Sequence, residues 1–189
     1  MTLILTPCYD GKLDVRYVDS LINTLRVVPD VFPLWMPGES LLPKARNELF
    51  KLAYESPADS VIWIDADEAW QPSDVQKLLD DPHPFVTGLV RQRRDERTYC
   101  IRKPEGDHVE SCGMGFCKMT REVLTELWEK SAPYTQQAGL SSGFRNVFEI
   151  QVIGEELMSE DISACHKWSG TIYFREDILI AHIGTKVYN

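Results

Sequence analysis

Through its first half the chain alternates short apolar runs with amphipathic segments, and that alternation narrows the folds open to it. Leu3 to Thr6 reads as a strand, and Val15 to Val27 carries Val18, Leu21, Ile22 and Leu25 at helical spacing. Val31 to Trp35 is a second strand, stopped by Pro37-Gly38. Leu42 to Tyr54 is a helix with Ala45, Leu49, Leu52 and Ala53 on one side. Val61 to Ile64, the helix Pro72 to Leu79 and the strand Phe85 to Val90 continue the series. Strand and helix in turn imply parallel pairing through right-handed crossovers. The expected fold class is therefore α/β, a mixed, mostly parallel central sheet flanked by helices. In such sheets ligands sit beyond the carboxyl ends of the strands.

The second half changes texture. Gly113 to Thr120 reads as a strand, Arg121 to Lys130 as a helix, and Ala132 to Phe144 as a loop rich in Gly, Ser and Gln. Glu160 to Trp168 is a helix, with Ile172 to Phe174 and Ile178 to Ile183 as a closing hairpin. No linker separates the halves, and 189 residues suit a single domain. Residues 1–90 form its first half and 91–189 its second.

Composition excludes some functions. No apolar run reaches 18 residues, so no membrane span is expected. Met1 to Pro7 lacks the basic and long apolar regions of a signal peptide. Five cysteines, an odd count without a CxxC pair, favour reduced thiols and a cytoplasmic protein. A net charge of −9 argues against broad binding to nucleic acid. Arg91, Arg93, Arg94, Arg97, Arg102 and Lys103, interrupted by Asp95 and Glu96, read as a solvated hairpin edge.

The chemistry concentrates where the third strand stops. Val61-Ile62-Trp63-Ile64-Asp65-Ala66-Asp67 is a buried strand running into two carboxylates. Such a pair suits a hard divalent ion, Mg²⁺ or Mn²⁺, or else begins a loop and caps the next helix. Pro43-Lys44-Ala45-Arg46-Asn47 opens a helix suited to a phosphate or a nucleobase edge, or merely to solvated charges. Gly113-Met114-Gly115-Phe116 either admits another molecule to the backbone or marks a bulge. Ser159 is a plausible N-cap for a helix whose first turn holds Glu160 and Asp161. These two are helix-dipole partners or a general base. His182 is a structural histidine or a metal ligand, with Lys186 placed to meet a phosphate.

In this order the motifs resemble the nucleotide-sugar-dependent glycosyltransferases of the GT-A (Rossmann-like) fold, and especially small single-domain members from phages, large viruses and bacteria. The likeness rests on Ala45-Arg46-Asn47, the strand ending in Asp65-Ala66-Asp67, Gly113 to Phe116, Ser159-Glu160-Asp161 with Trp168, and His182-Ile183-Gly184. It implies a nucleotide-binding first half and an acceptor and catalytic second half. Asp67 would coordinate Mn²⁺ or Mg²⁺ on the diphosphate of a nucleoside-diphosphate sugar, with Asp65 near the ribose or the ion and His182 as a third ligand. Arg46 and Asn47 would face the nucleotide or donor sugar. Gly113, Gly115 and Phe116 would form a donor and acceptor wall, and Trp168 would line the acceptor side. Asp161, with Glu160 beside it, would be the base of an inverting transfer to a hydroxyl acceptor. A UDP-sugar is the expected donor. The acceptor is left as a glycan, small molecule, protein or modified nucleobase, read by loops 91–107 and 132–144. The longer C-terminal motif of glycogenin-like retaining members is matched only loosely by His182 to Lys186.

Two rivals share the metal carboxylates or the fold. A nucleotidyltransferase would normally carry a glycine-rich basic loop after the first strand, where Cys8-Tyr9-Asp10-Gly11-Lys12 offers one glycine and one lysine. A non-catalytic nucleotide- or sugar-binding module would lose the base, against which Glu160-Asp161 speaks. A dehalogenase-like phosphatase is set aside, since its Asp pair lies on an early strand.

Overall fold

The computed structural model describes residues 1–93, 98–136, 141–184 and 187–188. The first half runs β1 (Thr2–Cys8), α1 (Val15–Val27), β2 (Val31–Pro37), α2 (Leu42–Glu55), β3 (Ser60–Ile64), β4 (Glu68–Ala69), α3 (Pro72–Asp80) and β5 (Phe85–Val90). The second half holds the short strands β6 (Ile101–Arg102), β7 (His108–Val109) and β8 (Ser111–Cys112), then β9 (Phe116–Thr120) and α4 (Arg121–Lys130). Two small hairpins follow, β10 (Pro133–Gln136) with β11 (Ser141–Arg145), and β12 (Gln151–Ile153) with β13 (Glu156–Met158). The chain closes with α5 (Glu160–Lys167), β14 (Ile172–Ile183) and β15 (Val187–Tyr188).

The central sheet has the order β15-β14-β5-β9-β3-β1-β2. Strands β2, β1 and β3 are mutually parallel, as are β5 and β14, and β9 runs antiparallel between the two groups. Every residue of β3 and β5 is buried, as continuous apolar runs require when both faces of a sheet are covered. Side chains alternate between the faces. Ile62 and Ile64 pack among Tyr17, Leu21, Val75 and Leu78 beneath α1 and α3. Trp63 faces Leu49, Phe50, Leu124 and Phe148 beneath α2 and α4.

Local signals place the helices. Asp14 caps α1 by accepting from the Arg16 amide at 2.9 Å. A reciprocal Gln71–Asp74 box and Pro72 at the first helical position start α3.

Two expectations change. The loop expected at 132–144 includes the β10–β11 hairpin among its described residues. The expected closing hairpin after Ile172 is one strand, β14, lying parallel to β5. An irregularity between Arg175 and Leu179 shifts its register. Ile178, in that irregularity, lies over Gly88, where a Cβ would stand 2.5 Å from Ile178 Cγ2. Glycine is what permits this contact. Among the described residues no helix is long and apolar enough to cross a membrane. All five cysteines are free thiols.

Candidate active site

The segment that follows β3 meets the end of β14. After Ile64 the chain turns, the Glu68 amide donating to the Asp65 carbonyl at 3.1 Å. The short strand β4 then pairs antiparallel with β14, setting Glu68 opposite His182. The Ile183 amide donates to the Asp67 carbonyl at 2.7 Å and fixes the register. Asp67, Glu68 and His182 thereby offer three ligand atoms within 4.8 Å of one another. His182 Nε2 lies 3.6 Å from Asp67 Oδ2 and 3.9 Å from Glu68 Oε1.

Chemistry fits this trio to a hard or borderline divalent ion. His182 Nδ1 sits 2.8 Å from the Arg91 carbonyl oxygen, which can only accept. Nδ1 therefore carries the proton, and the Nε2 lone pair faces the carboxylates. Burial lowers the His182 pKa, favouring that neutral imidazole. Glu68 is only 1% exposed, and its Oε2 has no hydrogen-bond partner among the described residues. Burial, with Asp65 nearby, pushes its carboxyl up to about 10. An orphaned carboxyl oxygen beside a carboxylate and an imidazole lone pair is what a bound cation would satisfy. Arg93 reaches the same place and pairs with Asp67.

Asp65 stands outside that trio. Asp65 accepts instead from Arg46 Nη2 at 3.0 and 3.2 Å, and Glu68 stands with Asp67 and His182. Arg46 also lies 3.4 Å from Glu160 Oε1 through Nε. Its guanidinium packs over Trp63 at 5.5 Å and Phe148 at 5.9 Å. Burial opposes the charge of Arg46, but Asp65, Glu160 and Asp161 outweigh it and raise the pKa.

The start of α5 supplies the facing carboxylates. Ser159 occupies the N-cap position, but its hydroxyl bonds Asp161 Oδ1, which also accepts from the Ile162 amide at 2.8 Å. Asp161 Oδ2 faces Gly113, 3.6 Å from where a Cβ would stand. Burial pushes Glu160 above its ordinary value while Arg46 pulls it back.

Arg46, Asp65, Glu68, Gly113, Gly115, Glu160, Asp161 and His182 all line one cavity of about 410 Å³, together with Cys100, Met114 and Ser111. A second cavity of about 570 Å³ shares Asp65 and Leu42 with it, and is walled by Tyr9, Asp10, Lys12 and Asp67. Glu68 and the Tyr9 to Lys12 loop escaped the sequence reading as site residues. That loop follows β1, which pairs with β3, so its position at the same sheet edge was the available signal.

Three expected site residues lie elsewhere. Asn47 spends its amide on α2's neighbour, donating to the Phe148 carbonyl at 3.0 Å and accepting from the Phe148 amide at 2.8 Å. Trp168 is packed in the core, its Nε1 3.3 Å from the Thr171 carbonyl. Phe116 is fully buried and meets Trp70 at 6.2 Å. None of the three lines either cavity. Lys186 lies outside the described residues, as do Arg94 and Arg97 of the basic stretch. Arg91 in that stretch is buried, not a solvated edge.

No family model matches the chain, and no curated protein matches it. Among solved structures it is similar to the STIV protein A197, over 97% of this chain and 85% of that one, at 17% identity and a TM-score of 0.64. It is similar to GalNAc-T7, solved with UDP, GalNAc and Mn²⁺, over 97% of this chain and 44% of that one, at 12% identity and a TM-score of 0.52. It is also similar to the inositol-1-phosphate CTP transferase from T. maritima, over 96% and 88% of the two chains, at 11% identity and a TM-score of 0.51. Likeness at these identities establishes the fold alone, and that fold is GT-A-like.

Proposed function

We propose that this protein is a metal-dependent glycosyltransferase that moves a sugar from a nucleoside-diphosphate sugar, with UDP the expected nucleotide, to a hydroxyl acceptor with inversion. The observation that carries this reading is that Glu68 and His182, of the trio with Asp67, line the same cavity as Asp161. Asp67, the orphaned Glu68 and His182 would hold Mn²⁺ or Mg²⁺. Asp161 keeps Oδ2 beside Gly113, another lining residue, while Oδ1 is bonded.

The ion, when bound, would neutralise charge on the departing nucleoside diphosphate. The chain's own residues do the rest. The second cavity, between Tyr9, Asp10 and Lys12, would take the nucleoside. Asp65, which lines both cavities, is held by Arg46. Asp161 would take the proton of the acceptor hydroxyl as that oxygen attacks the sugar. Arg46 holds Glu160 in the same first turn, which keeps the base's helix registered against the donor side.

Calorimetric titration with UDP, GDP, dTDP and CMP, each with and without Mn²⁺, tests the reading. One nucleotide should bind in a metal-dependent way, and Asp67→Ala should abolish that binding. Asp161→Asn should spare binding and stop transfer. Retained transfer in that variant would remove Asp161 from the mechanism. The fold shared with the CTP transferase keeps a nucleotidyltransferase as the second reading. Metal-dependent binding of CTP in preference to every diphosphate would favour it.

A further inference from the structure

Asp67 already has a cation on it. Arg93, which follows β5 by three residues, pairs through Nη2 with Asp67 Oδ2. His182 Nε2 lies 3.6 Å from that same oxygen. The Asp67 oxygen beside the imidazole is thus the one that Arg93 takes. A divalent ion held between Asp67 and His182 would compete with the guanidinium for it, since two cations on one oxygen repel.

This pair is open to solvent, with side-chain exposures of 47% for Arg93 and 39% for Asp67. An exposed ion pair contributes little to stability, so Arg93 can leave Asp67 at small cost. Other cations around the site have carboxylates of their own outside the trio. Arg46 is engaged by Asp65 and Glu160, Arg102 by Glu156, and Lys12 by Asp10 at 3.6 Å. Among the described residues, Arg93 is the one lysine or arginine paired with a member of the trio.

A hard divalent ion completes its shell with phosphate oxygens. A guanidinium released beside that shell suits two such oxygens at once. The need for it is electrostatic. A diphosphate would bring its charge to a place where Asp65, Glu160 and Asp161 already line the wall.

We propose that Arg93 stands in for the ion at Asp67 and passes to the donor's diphosphate when the ion binds. The exchange makes Arg93 a phosphate-binding residue and couples the two ligands. Ion binding frees the guanidinium, and the diphosphate keeps it from returning to Asp67, so each ligand favours the other. The inference rests on the transferase reading and adds to it a group that meets the donor's phosphates.

The test is calorimetry on wild type, Arg93→Gln and Arg93→Lys, with Mn²⁺ alone and then with UDP and GDP at saturating Mn²⁺. Without nucleotide, Arg93→Gln should bind Mn²⁺ at least about threefold more tightly than wild type, because no cation has to leave Asp67. At saturating Mn²⁺ it should bind the diphosphate about tenfold more weakly, the loss of one charge-assisted hydrogen bond. These opposite signs are the signature, since a residue that only supported the fold would weaken both. Arg93→Lys should bind Mn²⁺ as wild type does but recover only part of the diphosphate affinity, for want of the planar fork. Unchanged or weaker Mn²⁺ binding in Arg93→Gln would overturn the exchange. Diphosphate affinity equal to wild type would also overturn it, while leaving the transferase reading in place. If wild-type protein bound Mn²⁺ but neither diphosphate, the UDP- or GDP-sugar transferase reading would fall and this inference with it.

Discussion

One nitrogen of Arg46, Nη2, donates to both carboxylate oxygens of Asp65, at 3.0 and 3.2 Å. The pair joins α2 to the end of β3, and the contact with Glu160 adds the start of α5. Arg46→Met would leave these carboxylates facing each other without the buried cation. Breaking a buried pair from one side costs about 3–5 kcal/mol, and the partial exposure of Asp65 places this case near the lower end. Arg46→Lys should cost less but still lose the contact to one carboxylate, since an ammonium cannot reproduce the guanidinium fork. Urea unfolding of both variants measures this. Wild-type stability in Arg46→Met would show that the pair contributes nothing to the fold.

Asn47 latches α2 to the backbone of Phe148 in this structure. Its side chain holds both the amide and the carbonyl of Phe148, and contacts Asn146 Oδ1 at 3.3 Å. Asn47→Ala would strand two buried backbone groups, at about 1–3 kcal/mol each. Chemical denaturation should therefore show a loss of about 2–6 kcal/mol. Nucleotide affinity of the folded variant should stay within threefold of wild type. A large fall in affinity with unchanged stability would return Asn47 to the binding site.

What the sequence disclosed and concealed follows from how far each signal reaches. The buried strand into Asp65 and Asp67, and the helix opening at Glu160 and Asp161, are local patterns, and both reach the two cavities that share Asp65. Glu68 was concealed because its role depends on a turn and on pairing with a strand more than a hundred residues away. Asn47 and Arg46 are adjacent in one motif, yet a helix points neighbours in different directions. Arg46 reaches the cavity while Asn47 reaches the loop at Phe148. Trp168 caps the end of α5 and turns into the core, a choice that only tertiary packing decides.

Gly115 tests the tightness of the metal-side wall. A Cβ there would stand 3.0 Å from Glu68 Oε1 and 3.4 Å from Val90 Cγ2. Glu68 would have to move, and it is confined by its burial. Gly115→Ala should weaken Mn²⁺ binding about 10–100-fold, the range for disturbing a group that positions a metal site. Titrating Mn²⁺ into the nucleotide-free variant measures this directly. Unchanged affinity would mean that Glu68 either relaxes freely or does not face the ion.

Glu68 also predicts how stability depends on pH when no metal is bound. Its carboxyl is raised from an ordinary 4.5 to about 10, chiefly by burial and then by Asp65. The native protein thus keeps a proton that the unfolded chain has released. Below about pH 4.5 both states hold it, and the group exerts no pH-dependent penalty. As pH rises from 4.5 toward 10 the unfolded state alone loses the proton, so stability falls through that window. An amide at this position does not titrate. In EDTA, Glu68→Gln should therefore match wild type more closely near pH 4.5 and exceed its stability at pH 9. The gap should be at least about 1.4 kcal/mol, the equivalent of one pKa unit. Saturating Mn²⁺ should reverse the order, because an ionised Glu68 then has a cation beside it and an amide gains less. Parallel pH profiles for the two proteins in EDTA would show that Glu68 ionises normally in the fold.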